Sequence, residues 1–200
     1  MKHAIVVSHP NARSFTVSVA EAYAKACGAL GGETIVRDLY RIGFDPCLKP
    51  QELPFDPSFE PGSDVLSERD QLGGCDTFAF FYPLWLNSPP AMIKGYWERV
   101  FGFGFAYGAS GHSYNPLLTG RNLISFSSSG APTSWVQETG TLGAVRTLFD
   151  NSIAAVCGMK VLEHLHFGGV LPGASTTFVQ ARLEEVRQTV NRYFGRIACH

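Results

Sequence analysis

Three short loops carry the residue types that could bind an anion or a flat ring. The first reads His9-Pro-Asn-Ala-Arg-Ser14 and lies between a β-branched run and a long Ala-rich stretch. If that stretch is a helix, the free N–H groups of its first turn favour an anion such as phosphate, to which Arg13, Ser14 and Thr16 could add donors. The loop also fits a plain strand end, with Ser14 only as the N-cap of the helix.

The second loop, residues 83–90, places Leu84, Trp85 and Leu86 side by side. Exposed apolar loop residues usually cover something. A flat aromatic ligand against this loop would explain them, with Asn87 as a polar edge, and so would packing under a neighbouring helix. The third loop, residues 127–132, has small side chains and hydroxyls that would let a ligand approach the backbone, although a simple turn has the same composition.

Aromatic residues alternate with small ones between Phe101 and Tyr114. An exposed strand has this alternation. Four rings in a glycine-rich segment also suit an aromatic wall over a planar ligand or at a subunit interface. Periodicity does not decide between these interpretations.

Strands and helices alternate along the chain and must position these loops. Apolar and β-branched runs predict strands at residues 4–8, 33–38, 77–82, 122–127 and 160–167. Apolar residues at helical spacing predict helices at 15–30, about 63–72, 90–101, 142–156 and 179–197. This order predicts a doubly wound α/β fold in one domain over residues 1–200, with residues 39–62 as a long irregular connection. The three loops then meet at the carboxyl ends of parallel strands, where such folds bind ligands.

Composition excludes several classes of protein. The chain has 200 residues, 45% of them hydrophobic and 16% charged, and a net charge of -1. A disordered chain is excluded, and no basic face is predicted for nucleic acid. No apolar stretch reaches the roughly 18 residues of a membrane span. The cysteines are 5 in number, widely spread and without a C-x-x-C pair, so we expect no disulfide framework, no metal site and a cytoplasmic location.

Several segments taken in order resemble one family of flavoproteins. The similarity runs from about residue 4 to 165 at matching spacing, and the chain resembles the NAD(P)H:quinone oxidoreductases, the DT-diaphorase-like flavoproteins. The segments that carry it are Ser8-His9-Pro10 with Ser14-Phe15, Tyr82-Pro83-Leu84 through Pro90-Ala91, Lys94-Gly95 to Phe101, Phe105-Ala106-Tyr107, and Cys157-Gly158 with Val161-Leu162-Glu163.

This resemblance implies a fold, a cofactor and an activity. The fold is flavodoxin-like, a doubly wound five-stranded parallel sheet of order 2-1-3-4-5 with helices on both faces. The implied protein is a homodimer with two active sites at the subunit interface and a tightly bound flavin. FAD is the expected flavin, since residues 39–62 could cover an adenosine half, and FMN is the alternative. The implied reaction is a ping-pong transfer of hydride from NAD(P)H through the flavin to a quinone or a similar flat acceptor.

The resemblance also implies site residues. His9, Ser14, Phe15 and Thr16 would bind the flavin phosphates and ribityl chain, and Pro83, Leu84, Trp85, Leu86 and Asn87 would lie along the ring system. Ser127, Ser128, Ser129 and Gly130 would hold its pyrimidine edge, and Tyr107 and Trp135 would shape the acceptor pocket, Tyr107 reaching into that of the other subunit. The tyrosine and histidine that animal members place near the flavin correspond to Trp135 and about Thr141. Neither titrates near neutral pH, so no catalytic acid or base is assigned.

Three other functions remain as alternatives. An electron carrier of the flavodoxin type is usually strongly acidic and has a Thr/Gly-rich phosphate loop, and this chain has neither feature. Relatives in the resembled family activate a potassium-efflux system, which makes a regulatory subunit the second alternative. An azo- or nitroreductase is a variant of the main hypothesis with another acceptor.

Overall fold

A computed structural model describes residues 1–54, 56–110 and 113–195. Its strands are β1 (Lys2–Val7), β2 (Glu33–Asp38), β3 (Thr77–Pro83), β4 (Tyr107–Ser110), β5 (Ser113–Pro116), β6 (Asn122–Ser128) and β7 (Lys160–Phe167). Its α-helices are α1 (Phe15–Ala29), α2 (Ser63–Leu72), α3 (Ala91–Arg99), α4 (Thr133–Glu138), α5 (Thr141–Val145), α6 (Ser152–Cys157) and α7 (Thr176–Phe194). A 3-10 turn spans Pro50–Glu52, and a π-helical segment spans Arg146–Asn151.

The main sheet has five parallel strands in the order β2-β1-β3-β6-β7. Because β6 and β7 are the fourth and fifth strands of this sheet along the chain, the predicted order 2-1-3-4-5 is confirmed. The chain adds β2 on one side of β1 and β3 on the other, so the strand order reverses between β1 and β3. Open α/β sheets bind their ligands at this point.

The central strand β3 is buried along its whole length and has apolar side chains on both faces. Phe78 and Phe80 pack in a core that includes α3, whereas Ala79 and Phe81 pack in a second core that includes α1 and α7. Successive side chains of a strand point to opposite faces, so a continuous apolar run is what a sheet covered on both sides requires. The run 77–82 is therefore correctly predicted as a central strand.

One predicted helix differs from the structure, and the structure decides one segment that the sequence left open. The helix predicted at 142–156 is divided into α5 and α6 by the π-helical segment between them. The segment 101–114, which periodicity left open, forms part of an antiparallel hairpin of β4 and β5, and residues 111 and 112 lie outside the described residues. The predicted end of the last helix near residue 197 also lies outside them.

The long connection 39–62 is held against α3 by one buried arginine. The Arg99 guanidinium donates to both carboxylate oxygens of Glu52, at 2.8 and 2.7 Å, and to Asp64 Oδ2 at 2.7 Å. It also donates to the Asp45 carbonyl at 2.6 Å. Only 2% of the Arg99 side chain and 3% of the Glu52 side chain are exposed. A buried charge of this kind requires its partners, so the irregular connection has a defined position.

Cys27, Cys47, Cys75 and Cys157 are free thiols. Among the described residues, no group of histidine, cysteine and carboxylate side chains could hold a metal ion. No helix in this part of the chain is both long enough and apolar enough to cross a membrane.

Candidate functional site

A cleft opens at the carboxyl ends of β1, β3 and β6, with an empty volume of about 430 Å³. The three loops identified in the sequence meet here, as predicted. The lining residues are His9, Phe15, Thr16, Pro83, Leu84, Trp85, Ser128, Ser129, Gly130 and Val170.

The first loop ends at the start of α1, whose first turn faces the cleft. The Ser14 hydroxyl accepts a hydrogen bond from the Val17 N–H at 3.2 Å, so the Ser14 side chain is the N-cap of the helix. Phe15 and Thr16 line the cleft. A helix start leaves its first N–H groups without partners inside the helix, and the helix dipole adds positive potential there. This end of the cleft can therefore hold an anion.

Arg41 was not identified from the sequence, and it fixes the position of the first loop. Its guanidinium donates to the backbone carbonyls of His9 and Pro10, the latter at 2.8 Å, while its Nε bonds Asp38 at 3.1 Å. His9 Nδ1 accepts from the Asn11 N–H at 3.0 Å. Burial lowers the pKa of His9 below its usual value. The ring is therefore neutral at pH 7 with its hydrogen on Nε2, which makes it an uncharged donor.

The second loop is a tight hairpin. Trp85 and Ser88 exchange backbone hydrogen bonds at 3.0 and 3.1 Å across Leu86 and Asn87. Both central residues have positive φ, 51° and 61°, which is the backbone of a type I′ turn. The Trp85 ring meets the His9 ring edge-on, with 5.5 Å between the ring centroids, and it lines the cleft. Leu86 and Asn87 stand exposed at the hairpin tip and do not line the cleft as the structure describes it.

The serines of the third loop lie in two environments: two of them line the cleft, and one is buried in the protein interior. Ser128, Ser129 and Gly130 line the cleft, and the Ser128 carbonyl accepts from the Leu84 N–H at 2.6 Å, which ties the second and third loops together. Ser127 is 1% exposed, and its hydroxyl lies 2.7 Å from one histidine ring and 2.8 Å from another. Its side chain therefore points away from the cleft.

Those two rings, His164 and His166, belong to a buried polar network that the sequence analysis missed. His164 Nδ1 lies 2.6 Å from Asp150 Oδ2, and the other Asp150 oxygen accepts from the Ser125 hydroxyl at 2.7 Å. His166 Nε2 lies 3.0 Å from the Ser129 hydroxyl. Burial, together with the neighbouring charges, lowers the pKa of His166 to about 4.

A pattern in the sequence could have revealed this network. Polar residues alternate at positions 125 and 127 of β6 and at 164 and 166 of β7, inside two segments predicted to be strands. In a sheet, such alternation puts all four side chains on one face of neighbouring strands. Buried polar groups require partners, so this pattern indicates a hydrogen-bonded network on that face of the sheet.

The two residues expected to shape the acceptor pocket lie outside the cleft. Trp135 is on α4, just beyond the third loop, and is 44% exposed. Tyr107 lines a second, largely apolar groove between α3 and α6, with an empty volume of about 860 Å³. Leu148 and Val156, which are 61% and 44% exposed, lie in the same groove.

Comparisons with known proteins agree with this architecture. Residues 1–190 match the family described as having the flavodoxin-like fold, and the chain belongs to that family. An uncharacterized NAD(P)H oxidoreductase of Haemophilus influenzae is 30% identical over 171 residues, 85% of each chain. NAD(P)H dehydrogenase [quinone] 1 of Rattus norvegicus is 26% identical over 96% of this chain and 79% of its own. The solved NAD(P)H:quinone oxidoreductase of Methanothermobacter marburgensis superposes with a TM-score of 0.83 at 27% identity, over 96% of both chains. The resemblance found in the sequence is thereby confirmed.

Proposed function

We propose that this chain is a flavin-dependent NAD(P)H:quinone oxidoreductase whose active site is the cleft at the carboxyl ends of β1, β3 and β6. The observation that carries the proposal is the composition of the cleft. An anion-binding helix start lies at one end, an apolar hairpin forms a wall, and a loop of small polar residues forms the opposite edge. This order matches a flavin, which has a phosphate at one end of its chain and a flat ring with a polar edge at the other.

The described residues fit such a cofactor. The first turn of α1 and the neutral His9 ring would hold the phosphate. Trp85 and Leu84 would lie against the ring, and the backbone of residues 128–130 would meet its polar edge. When bound, the flavin supplies the hydride chemistry, and the protein supplies position and electrostatics.

The residues that line the cleft bear on the choice between FAD and FMN. No described residue between 39 and 62 lines it, because that connection packs on α3 through Arg99. The sequence argument for FAD loses its support for this reason, and FMN is favoured. Releasing the flavin by heat and separating it by chromatography distinguishes the two.

We also propose that the protein is a homodimer and that the groove between α3 and α6 is its interface. Exposed Leu148 and Val156 give this groove an apolar character that favours burial. Its position would carry Tyr107 towards the partner subunit's site, as the resemblance implies. Sedimentation of the wild type and of Leu148→Glu tests this, with a dimer for the first and a monomer for the second as the expected results.

The activity is tested with two matched tryptophan variants. The purified protein should be yellow, lose its colour with NAD(P)H in the absence of oxygen, and regain it with a quinone. Trp85→Ala should weaken flavin binding by about tenfold, since a ring contact contributes about 0.5–1.5 kcal/mol beyond its buried area. Trp135→Ala is the control, because Trp135 is equally exposed, at 44% against 45%, but lies outside the cleft.

The outcomes separate the hypotheses. A protein that takes up no flavin would contradict the proposal. A protein that binds flavin but does not oxidise NAD(P)H would favour the regulatory alternative, and reoxidation by azo dyes but not by quinones would favour an azoreductase.

A further inference from the structure

The buried network forms one continuous line of hydrogen bonds that reaches the cleft. It runs from Asp150 through His164, Ser127 and His166 to Ser129, with donor–acceptor distances of 2.6, 2.7, 2.8 and 3.0 Å. The Ser129 hydroxyl also donates to the Ala131 carbonyl at 3.0 Å. We call this line the Asp150–Ser129 chain. Its far end is buried, with Asp150 1% exposed, and Ser129 lines the cleft.

Counting hydrogens shows that the chain is one proton short when both histidines are neutral and Asp150 is a carboxylate. Its five contacts, including the one to Ala131, need five hydrogens. A serine hydroxyl supplies one hydrogen and so does a neutral imidazole, so the two serines and the two histidines supply four. All five contacts form together only if one further proton is shared between Asp150 and His164.

We propose that the Asp150–Ser129 chain is an internal proton store, which holds one proton between Asp150 and His164 and delivers it to the cleft at Ser129 Oγ. The Asp150 carboxylate balances the positive charge of the stored proton. Without such a partner, a buried imidazolium would be too costly to form.

The surrounding groups disfavour the charged forms of the other titratable side chains along the chain. Arg146, on the same π-helical segment as Asp150, donates to the His164 backbone carbonyl at 2.7 Å. Burial, and then the charges on His164 and Arg146, lower the pKa of His166, so His166 conducts the proton without retaining it. On the β3 side Tyr82 meets His164 edge-on, with ring centroids 6.2 Å apart, and burial raises the pKa of Tyr82 well above its usual value. Tyr82 therefore stays protonated and does not compete for the role.

Delivery of the proton reverses the three hydrogen bonds that link His164, Ser127, His166 and Ser129. Ser129 passes its hydrogen into the cleft and receives the one on His166 Nε2. Ser127 then gives its hydrogen to His166 Nδ1 and receives the one on His164 Nε2. Both histidines are then neutral and Asp150 keeps its negative charge, with His164 Nδ1–H still donating to Asp150, and solvent later restores the missing proton.

The use of this proton rests on the proposed function. A quinone becomes a hydroquinone by gaining two electrons and two protons. The hydride from NAD(P)H carries both electrons and one of the protons, and NAD(P)⁺ leaves. The remaining proton is the one that the chain provides, so only the second half of the reaction, in which the quinone is reduced, depends on it.

The first test measures the stored proton directly and does not depend on turnover. Nitrogen-15 NMR of the histidine rings is recorded at pH 7 on the full chain, with assignments from His164→Gln and His166→Gln. The expected result is two protonated ring nitrogens for His164 and one for His166, with the extra proton lost in Asp150→Asn. A bare ring nitrogen on His164 in the folded wild type would overturn the proposal.

The second test separates the two half-reactions by stopped flow in the flavin-loaded protein. His164→Gln should slow the oxidation of the reduced flavin by quinone by at least about tenfold, a small part of the effect usual for a positioned proton donor. Reduction by NAD(P)H should be largely unchanged. The control is His3→Gln, because His3 is also buried and bonds a single hydroxyl, that of Tyr23 at 2.9 Å, near the opposite ends of the strands.

Ser127→Ala covers the case in which His164→Gln does not fold. It breaks the chain in the middle, so the slow quinone step should appear while the NMR signature of His164 persists. Equal slowing of both half-reactions, or an equal loss in His3→Gln, would indicate a structural role and overturn the proposal. A protein that binds no flavin would contradict the proposed function alone, since the NMR measurement would still decide whether the proton is stored.

Discussion

Leu86 at the tip of the cleft hairpin is predicted to lower the stability of the protein. Its φ of 51° lies in the left-handed region, where an ordinary side chain costs about 1–2 kcal/mol. The Leu86 side chain is fully exposed, so no packing offsets this cost. Asparagine tolerates the same backbone and is favoured in type I′ turns. Leu86→Asn should therefore raise the free energy of unfolding by about 1 kcal/mol and the Tm by about 2–4 °C.

The assay is thermal unfolding of the flavin-free protein, because a bound ligand would stabilise the fold and hide the difference. Leu53→Asn is the control, since Leu53 is 46% exposed but has an ordinary φ of -73°. It should give no gain. Flavin affinity or quinone turnover should fall in Leu86→Asn, because strained residues persist where they serve a function. If Leu86→Asn were no more stable than the wild type, the strain argument would be wrong.

Three further predictions concern the rest of the fold. Arg99→Met should lower the free energy of unfolding, measured in urea, by about 3–5 kcal/mol, because it leaves the buried Glu52 carboxylate without its cation. Arg187→Met removes one partner of an exposed ion pair and should change the free energy of unfolding little. Similar losses in the two variants would refute the role of burial. Gly95→Ala should be destabilising by about 1–3 kcal/mol, because a Cβ there would lie 2.1 Å from the Pro46 carbonyl, while Gly143→Ala, with open space around it, should not be. Burial lowers the pKa of His3 to about 4 from 6.5, so the unfolded chain binds the additional proton between these values and stability should fall as pH falls through this window. His3→Gln should remove up to about 1.4 kcal/mol per pH unit of that slope, and an unchanged slope would contradict the assignment.

The main sheet was predictable because its strands are encoded locally. The apolar run of β3 and the alternation of strands with helices predict a parallel sheet covered on both faces. The structure has this sheet, with β3 buried at its centre. The hairpin of β4 and β5 was not predictable, since aromatic and small residues alternate equally well in a strand and in a ligand wall. The π-helical segment was missed because its apolar spacing still follows a helix, and a single widened turn hardly disturbs that period.

The cleft was predictable to the level of loops but not of side-chain roles. The topology of a doubly wound sheet brings the three loops together whatever their exact residues. It does not reveal that Ser127 points inwards or that Arg41 binds the carbonyls of the first loop. Those depend on contacts between residues more than 30 positions apart, which no local pattern encodes.

The register of β6 against β7 explains how the polar chain exists inside an apolar sheet. The pairing shifts between Leu123 and Ile124, so that Leu162 is skipped and the partners of Ser125 and Ser127 are His164 and His166. Without this bulge the same serines would face Glu163 and Leu165, and the two histidines would point into the core formed with α1 and α7. A one-residue shift changes the face of every following side chain. The bulge therefore confines the polar groups to one face, where each finds a partner and the line ends at the cleft.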